Sequence, residues 1–309
     1  MEHEHILILS GGNSSEREIS LKTGQCVYNA AKSLGMNADL KVVHHFSDII
    51  NINFSPYSYI FIALHGGYGE DGRLQAFLSA MNMRHNGADY IASGIGMNKM
   101  LTKDIAYSLN LNTPSSLHYH TSAHPYRYDD VVKKVGTPFI VKPVSQGCSK
   151  GVFVVTNEQE YLQSVKEASL YEDNLLIEQF ITGKEITVGI LAGEILPIVD
   201  IIYENPIFDY DTKFTPGRTS YEPSSLNHDI QKVIQKDSLK LFTHLNIHDY
   251  GRLDFIIDSS NKPYLLEINT LPGLNEKSVY PQACYFKELT YDEMIRIIQF
   301  QSLALQNVR

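Results

Sequence analysis

Four polar side chains in the last predicted hairpin have the spacing of a metal site. If this hairpin turns at residues 260–261, Asp254 lies opposite Glu267. The same register places Arg252 opposite Asn269, and because strand side chains alternate, all four project from one face. The other face would carry the apolar residues Leu253, Phe255, Leu266 and Ile268.

The chemistry of these four side chains favours magnesium. Two facing carboxylates repel each other unless a cation lies between them, and a set of oxygen ligands suits Mg²⁺ better than Zn²⁺. An Asp–Glu pair alone is more typical of a solvated strand face. The accompanying Arg252 and Asn269 reverse that preference and predict a metal site.

A second group of residues has the chemistry to bind phosphate. The loop of residues 145–151 is small and rich in donors, and its backbone N–H groups can face an anion. It lacks the spacing of a P-loop and lies between two strands, so the loop alone is more typical of a plain turn. Lys142 lies on the apolar strand before it. A lysine there must reach solvent or meet an anion, and a nucleotide phosphate would satisfy it.

Other polar residues have structural explanations of equal or greater weight. His65 follows an apolar strand and has the chemistry of an acid–base group, although a lone histidine is more often structural. Glu16 lies near a helix start, where a capping role is common. Residues 118, 120 and 124 are histidines in a segment rich in Pro, Ser and Tyr, which favours a solvated loop over a metal cluster.

The composition excludes several classes of protein. The 309 residues carry a net charge of -9 and are 43% hydrophobic, which predicts a folded protein of roughly two to three domains. An acidic chain has no net attraction to nucleic acid or to an anionic membrane, and no apolar segment approaches the ~20 residues that span a bilayer. The charged start is not a signal peptide, so we expect a cytoplasmic protein with its three cysteines reduced.

The elements that position these residues change character along the chain. Two strands at residues 5–9 and 59–64 each end in a glycine-rich turn followed by a helix, which predicts a parallel sheet in the first ~95 residues. Apolar pairs at residues 139–143 and 151–155, and again near the end, predict antiparallel hairpins. Residues 205–225 have the composition of a long loop, which in a compact protein is usually functional or disordered.

Together these segments resemble the D-alanine:D-alanine ligase family of the ATP-grasp superfamily. Seven stretches match in the family's order, namely residues 11–20, 65–72 with Gln75, 97–99, 141–143, 178–185, 210–214, and 252–254 through 267–273. The resemblance implies an α/β ATP-grasp architecture in three parts. They are an N-terminal, Rossmann-like substrate-binding domain (1–96), a central ATP-grasp subdomain (97–182), and a C-terminal ATP-grasp subdomain (183–309) with the metal site and a lid loop at 205–225.

The resemblance also implies the residues that bind ATP and metal. Contacts with the phosphates are implied for Lys99, Lys142 and, from the lid, Lys213. Contacts with adenine and ribose are implied for Glu178, Ile181 and Glu185. Two Mg²⁺ ions, for which Mn²⁺ is an alternative, would be held by Asp254, Glu267 and Asn269, in agreement with the hairpin register.

A further set of roles concerns the ligation itself. The family's reaction transfers a phosphoryl group from ATP to a carboxylate, and an amine then attacks the acyl phosphate. Arg252 and the Gly273 N–H would stabilise the oxyanion. Glu16 would bind the first substrate's ammonium group, with His65 near its carboxylate. Residues implied at the second-substrate and reaction site are Ser278, Val279, Cys148 and Ser149.

Two departures from the family pattern leave the second substrate open. Cys148 and Phe214 stand where the family usually has serine and tyrosine, whose hydroxyls link to Glu16. The leading hypothesis is a D-alanine:D-alanine ligase for peptidoglycan precursors, acting on small D-amino acids as a homodimer. A D-alanine:D-lactate ligase or another dipeptide ligase is the alternative. A non-catalytic binding protein is disfavoured because the predicted metal set is intact.

Overall fold

Three β-sheets follow one another along the chain in the computed structural model, which describes residues 5–123, 126–203 and 218–306. The first sheet lies within residues 5–85, the second within 116–179 and the third within 183–269. The first is parallel and the other two are antiparallel. This arrangement confirms the predicted α/β class. The domain boundaries at 96/97 and 182/183 stay a prediction.

The first sheet has the strand order β2-β1-β3-β4. Its strands are β1 (His5–Gly11), β2 (Asn37–Val43), β3 (Tyr59–Ile62) and β4 (Arg84–His85). The connecting helices are α1 (Arg17–Ser33), α2 (Phe46–Ile50) and α3 (Arg73–Ala80). Strands β1 and β3 are buried on both faces, as is typical of parallel strands covered by helices. The carboxyl ends of these two strands lie at the same edge of the sheet. Glu16 follows β1 and His65 follows β3, so both residues lie near that edge.

The second sheet has the order β5-β8-β6-β7. Its strands are β5 (Ser116–His120), β6 (Phe139–Pro143), β7 (Phe153–Val155) and β8 (Asn174–Gln179). The helices before and within it are α4 (Tyr90–Met97), α5 (Lys99–Ser108), α6 (Tyr128–Val135) and α7 (Glu158–Ala168). Strands β6 and β7 form the predicted hairpin. The second strand begins at residue 153 rather than 151, because Cys148, Ser149 and Gly151 all have positive φ and keep turning the chain.

The third sheet has the order β12-β11-β9-β13-β14, with β10 paired to β9. Its strands are β9 (Gly183–Leu191), β10 (Glu194–Ile195), β11 (Val199–Tyr203), β12 (Thr219–Pro223), β13 (Tyr250–Asp258) and β14 (Pro263–Asn269), and α8 (His228–His244) lies between β12 and β13. The predicted loop at 205–225 is therefore wrong for residues 219–223, which pair with β11. Proline at the end of this run is tolerated because β12 is an edge strand.

The register of β13 and β14 confirms the pairing predicted for the metal site. Asp254 lies opposite Glu267, and Arg252 lies opposite Asn269. A β-bulge follows, since the next pair joins residue 255 to residue 265. The prediction that Leu266 faces the core is wrong, because the bulge adds one residue and turns Leu266 to the same side as Glu267.

The last two helices pack against the first sheet, and the first of them also contacts the third, where the Tyr280 hydroxyl donates to the backbone carbonyl of Ile190. Helices α9 (Val279–Phe286) and α10 (Tyr291–Gln306) place Tyr280, Ile295 and Ile298 in one hydrophobic cluster with the residues of β1 and β3. Both ends of the chain therefore contribute to the same core. Among the helices that the structure describes, none combines the length and apolar character needed to cross a membrane.

Asp249 joins three elements at the base of the third sheet. Its carboxylate accepts hydrogen bonds from Gly87 N at 2.8 Å and from the Ser302 hydroxyl at 2.6 Å. The residue directly precedes β13, so it connects that strand with α10 and with the segment after β4. Burial raises the pKa of Asp249 to about 6, although the hydrogen bonds partly oppose that rise.

The raised pKa predicts how Asp249→Asn changes the pH dependence of stability. The folded protein holds this proton more tightly than the unfolded chain, so the wild type loses stability as pH rises from about 4 to about 6. The neutral asparagine escapes that loss. We expect the variant to gain about 3 kcal/mol relative to wild type between pH 4 and pH 8.

Urea unfolding of both proteins across this pH range measures the gain. Taking the difference between the two proteins cancels the titration of all other groups. A difference in unfolding free energy that does not change with pH would contradict the assignment.

Candidate active site

Two adjoining cavities of about 470 and 500 Å³ contain the predicted site. Within the described ranges, every predicted site residue lines at least one of them. The first cavity is lined by Lys99, Lys142, Ser149, Glu178, Ile181, Glu185, Arg252, Asp254, Glu267 and Val279. The second is lined by Glu16, His65, Lys99, Cys148, Arg252, Glu267, Asn269, Gly273, Ser278 and Val279. Lys213 and Phe214 lie outside the described residues.

The two cavities share a charged boundary. Lys99, Arg252 and Glu267 line both of them. The Lys99 ammonium lies 3.3 Å from Glu267 and donates to the backbone carbonyl of Gln146 at 2.7 Å. This boundary can hold a group that reacts across it, with one reactant in each cavity.

Asp254 is the most constrained member of the predicted metal set. Arg252 donates to both of its oxygens, at 2.9 and 2.8 Å. The Thr187 hydroxyl donates to Oδ1 at 2.6 Å, and Asn269 Nδ2 donates to Oδ2 at 3.2 Å. Burial alone would lower the pKa of Arg252, but the charge and hydrogen bonds of Asp254 outweigh it and raise that pKa. Four fixed donors therefore hold Asp254 in place.

The donor set fits a hard divalent cation. Asp254 and Glu267 supply carboxylate oxygens, and Asn269 uses its amide nitrogen toward Asp254, which keeps its carbonyl oxygen available as a ligand. Across the described parts of the chain, no three His, Cys, Asp or Glu side chains group together around a potential metal position. The candidate site accordingly has two carboxylates and one amide.

Glu178 lies between two lysines in the first cavity. Lys142 donates to its Oε1, and the Lys103 ammonium lies 2.8 Å from its Oε2. Burial alone would raise the pKa of Glu178, but the charges of Lys103 and Lys142 lower it to about 2. Glu178 also lines the cavity, where a carboxylate can accept from a ligand that donates an N–H group, such as an adenine amine.

Apolar side chains cover the remainder of the first cavity. They come from the second and third sheets and from the segments beside their strands, and are Ile140, Val152, Ile181, Ile201, Ile256 and Leu266. A slot between two apolar sheets suits a flat ring system. At its edge, the Tyr203 hydroxyl donates to Glu185 at 2.8 Å, and burial together with the charge of Glu185 raises the pKa of Tyr203. Glu185 is thereby oriented at the mouth of the slot.

Glu16 lies between the first sheet and the loop of residues 145–151. The Cys148 thiol donates to Glu16 Oε2 at 2.8 Å. A side chain at Gly147 would place its Cβ 2.2 Å from Glu16 Oε1, so only glycine lets this loop approach so closely. Glu16 makes no capping hydrogen bond to its helix. The contact with the loop, rather than capping, explains the position of this carboxylate.

His65 and Ser278 lie on the walls of the second cavity. His65 Nε2 is 2.9 Å from the Thr23 hydroxyl, and Nδ1 is 3.8 Å from Glu70. Both ring nitrogens therefore face polar groups. Asn275 Nδ2 donates to the Ser278 hydroxyl at 2.6 Å. Ser278 begins α9, directly beside Gly273, where a hydroxyl and backbone N–H groups are positioned to bind a carboxylate.

The surface histidines are separate from this site. His118 is 3.0 Å from Asn174, and His120 contacts Ser122. His124 lies outside the described residues. The expected loop is wrong for the two described residues, because both lie on β5 and pair with β8, although His118 is exposed to solvent there.

Thr187 and Lys103 are polar residues of the site that the sequence reading missed. Thr187 lies in the apolar run of β9, directly opposite Asp254. Like Lys142 in β6, Thr187 is a polar residue in a buried strand, and such a residue is a sequence signal for a partner inside the site. Lys103 follows Lys99 by one helical turn, so both project from the same face of α5.

Comparisons with known proteins agree over nearly the whole chain. A family model described as D-ala D-ala ligase C-terminus matches residues 115–299. A D-alanine–D-alanine ligase of Aquifex aeolicus is 35% identical over 295 residues, which cover 95% of this chain and 99% of the relative. One of Desulforamulus reducens is 33% identical over 296 residues, covering 93% and 95%. The crystal structure of a D-alanine–D-alanine ligase from Bacillus anthracis complexed with ATP has a TM-score of 0.88 at 28% identity, covering 100% of this chain and 99% of that one.

The close approach of Gly147 to Glu16 predicts the effect of Gly147→Ala. The added methyl group must displace the Glu16 carboxylate and break its hydrogen bond with Cys148. A thiolate forms more readily once a carboxylate no longer lies beside it. We therefore expect faster alkylation of Cys148 by iodoacetamide, measured residue by residue with mass spectrometry.

Gly94→Ala is the matched control, because its methyl group would meet no atom closer than 3.4 Å. An unchanged alkylation rate at Cys148 in Gly147→Ala would show that the thiol and Glu16 are not linked.

Proposed function

The chain belongs to the D-alanine–D-alanine ligase family, and we propose that it joins two D-alanine molecules with ATP for peptidoglycan precursor synthesis. Its ATP-grasp fold and its similarity to these ligases along nearly its whole length make it an ATP-dependent ligase. The observation that carries the proposal is the charged boundary of Lys99, Arg252 and Glu267 between two cavities. One cavity suits a nucleotide and the other a small amino acid.

The proposed chemistry passes through this boundary. The first substrate's carboxylate oxygen attacks the γ-phosphorus of ATP, ADP leaves, and an acyl phosphate forms. The second substrate's amine then attacks the carbonyl carbon, and phosphate leaves after the tetrahedral intermediate collapses. Lys99 and Arg252 line both cavities and would stabilise the charge on the transferring phosphoryl group, and Arg252 with Gly273 N–H would stabilise the oxyanion.

Residues on either side of the boundary would orient the reactants. On the nucleotide side, Lys142 would contact phosphate, Glu178 and Ile181 would contact adenine, and Glu185 would contact ribose. Lys213 and the remainder of the proposed lid would act from outside the described residues. Residues proposed to bind and orient the amino acids are Glu16, His65, Cys148, Ser278 and Val279 in the second cavity, together with Ser149 from the wall of the first.

Two Mg²⁺ ions are part of the proposal, with Mn²⁺ as an alternative. Asp254, Glu267 and Asn269 would hold them, and the metal would neutralise charge between the polyphosphate and the attacking carboxylate. We also propose a homodimer in the cytoplasm, in line with the family resemblance. Light scattering of the purified protein measures the oligomeric state directly.

A test of the metal assignment is Glu267→Gln, which removes one anionic ligand without changing shape. We expect Mn²⁺ affinity in the presence of ADP to fall by about tenfold or more, and ADP release to fall with it. Glu267 is a better target than Asp254, whose loss would leave the buried Arg252 without its partner.

Asp258→Asn is the matched control, because it removes one negative charge from the far end of the same hairpin. Equal metal affinity in Glu267→Gln and wild type would remove this residue from the metal site.

Cys148 is a specific reason to consider D-lactate as the second substrate. Its thiol is a weak donor to Glu16, and Phe214 has no hydroxyl at all. The second substrate's ammonium group must lose a proton to become the attacking amine, which a hydroxyl network assists, whereas the hydroxyl group of a hydroxy acid is already uncharged. Ester formation would then be favoured toward lower pH and peptide formation toward higher pH.

This reasoning predicts that Cys148→Ser combined with Phe214→Tyr shifts the product toward the peptide. The measurement is the ratio of D-alanyl-D-alanine to D-alanyl-D-lactate from mixed substrates across about pH 6 to 9. The two single variants show whether the effects are coupled. If the ratio is the same in all four proteins, the second substrate is selected elsewhere in the cavity.

A further inference from the structure

Lys103 is a buried charged residue to which the proposed mechanism assigns no role. It lies on α5, four residues after Lys99, and its side chain is 5% exposed. Its ammonium lies 2.8 Å from Glu178 Oε2 and 3.4 Å from the backbone carbonyl of Pro114. Burial lowers the pKa of Lys103, and the charge of Glu178 opposes that fall. A buried ammonium is unfavourable unless it has an anionic partner, and Lys103 has one in Glu178. Because Lys142 also pairs with Glu178, the presence of a second buried lysine requires an explanation.

The two lysines beside Glu178 are not equivalent. Lys142 lines the nucleotide cavity together with Glu178, whereas Lys103 is not among the lining residues and lies behind the carboxylate. Each lysine pairs with a different oxygen of Glu178. Two positive charges and one negative charge leave the group with a net charge of +1, and the surplus ammonium is the one that faces the cavity.

We infer that Lys103 is a positioning residue that serves as the permanent counterion of Glu178, so that the charge of Lys142 is available to the nucleotide phosphates. This inference rests on the proposed nucleotide site. Without Lys103, Lys142 would be the only cation paired with Glu178, and the group would be neutral overall. A neutral group in a largely buried cavity attracts a polyphosphate far less than a cationic one.

If Lys103 acts in this way, its loss should weaken binding of the phosphates much more than binding of the adenine base. Lys103→Met keeps the length of the side chain and removes its charge. We expect this variant to lose affinity for ADP while its affinity for adenosine changes much less. The relevant quantity is the adenosine dissociation constant divided by the ADP dissociation constant, and it should fall by about tenfold or more.

A double variant tests the mechanism rather than the residue. Lys103→Met combined with Glu178→Gln removes one positive and one negative charge and restores the net charge of +1. If Lys103 acts by neutralising Glu178, the ratio returns toward the wild-type value in the double variant. Lys103→Arg, which keeps the charge, should stay near wild type. A purely structural role for Lys103 predicts no such rescue.

Calorimetric titration of the full-length protein with ADP and with adenosine, at fixed Mg²⁺, measures all the constants. Lys133→Met is the matched control, because it removes an exposed ammonium from α6 in the same part of the chain. An unchanged ratio in Lys103→Met, or a double variant that stays as low as the single one, overturns the inference. If the wild type binds neither ADP nor adenosine, the proposed nucleotide site itself is wrong.

Discussion

Burial of charge is the constraint on which the site depends. Arg252, Asp254, Lys142 and Glu178 are all nearly inaccessible to solvent, and each contacts a group of opposite charge. Removing such a group from water is unfavourable by several kcal/mol unless a partner compensates it. The strands and helices around the cavities must therefore hold these partners in register, and that requirement explains why polar residues interrupt otherwise apolar strands. Because each buried charge already has a partner, a ligand that binds here would replace one of these partners and would leave no charged side chain unpaired.

The parts of the site that depend on strand periodicity could be predicted from sequence. The pairing of Asp254 with Glu267 follows from alternation and from one assumed turn, and the structure confirms it. The turn itself was placed half a residue too late, since Ile257 pairs with Pro263, and the β-bulge between the turn and the Asp254–Glu267 pair restores the predicted register. The position of Leu266 was wrong for that reason. A single inserted residue leaves no mark in an apolar strand, since either neighbouring leucine satisfies the hydrophobic pattern.

Contacts between segments far apart in the sequence could not be predicted from the periodicity of strands and helices. Glu16 and Cys148 are 132 positions apart, and the sequence alone gives no reason for them to meet. The family resemblance supplied that link, and the structure adds the physical condition for it, which is a glycine at position 147. The strand at residues 219–223 was missed because its composition is polar and contains proline. Pairing with β11 stabilises it despite that composition.

Because α9 and α10 complete the hydrophobic core of the first sheet, the earliest part of the chain cannot finish folding until the last part has been made. During synthesis, β1 to β4 and their connecting helices emerge long before α9 and α10, so the apolar residues that α9 and α10 cover remain exposed while some two hundred further residues are added. Contacts between the two ends of a chain close slowly, since the loop entropy of the whole intervening segment opposes them. The core of the first sheet is thus a part of this protein that stays open until late in synthesis.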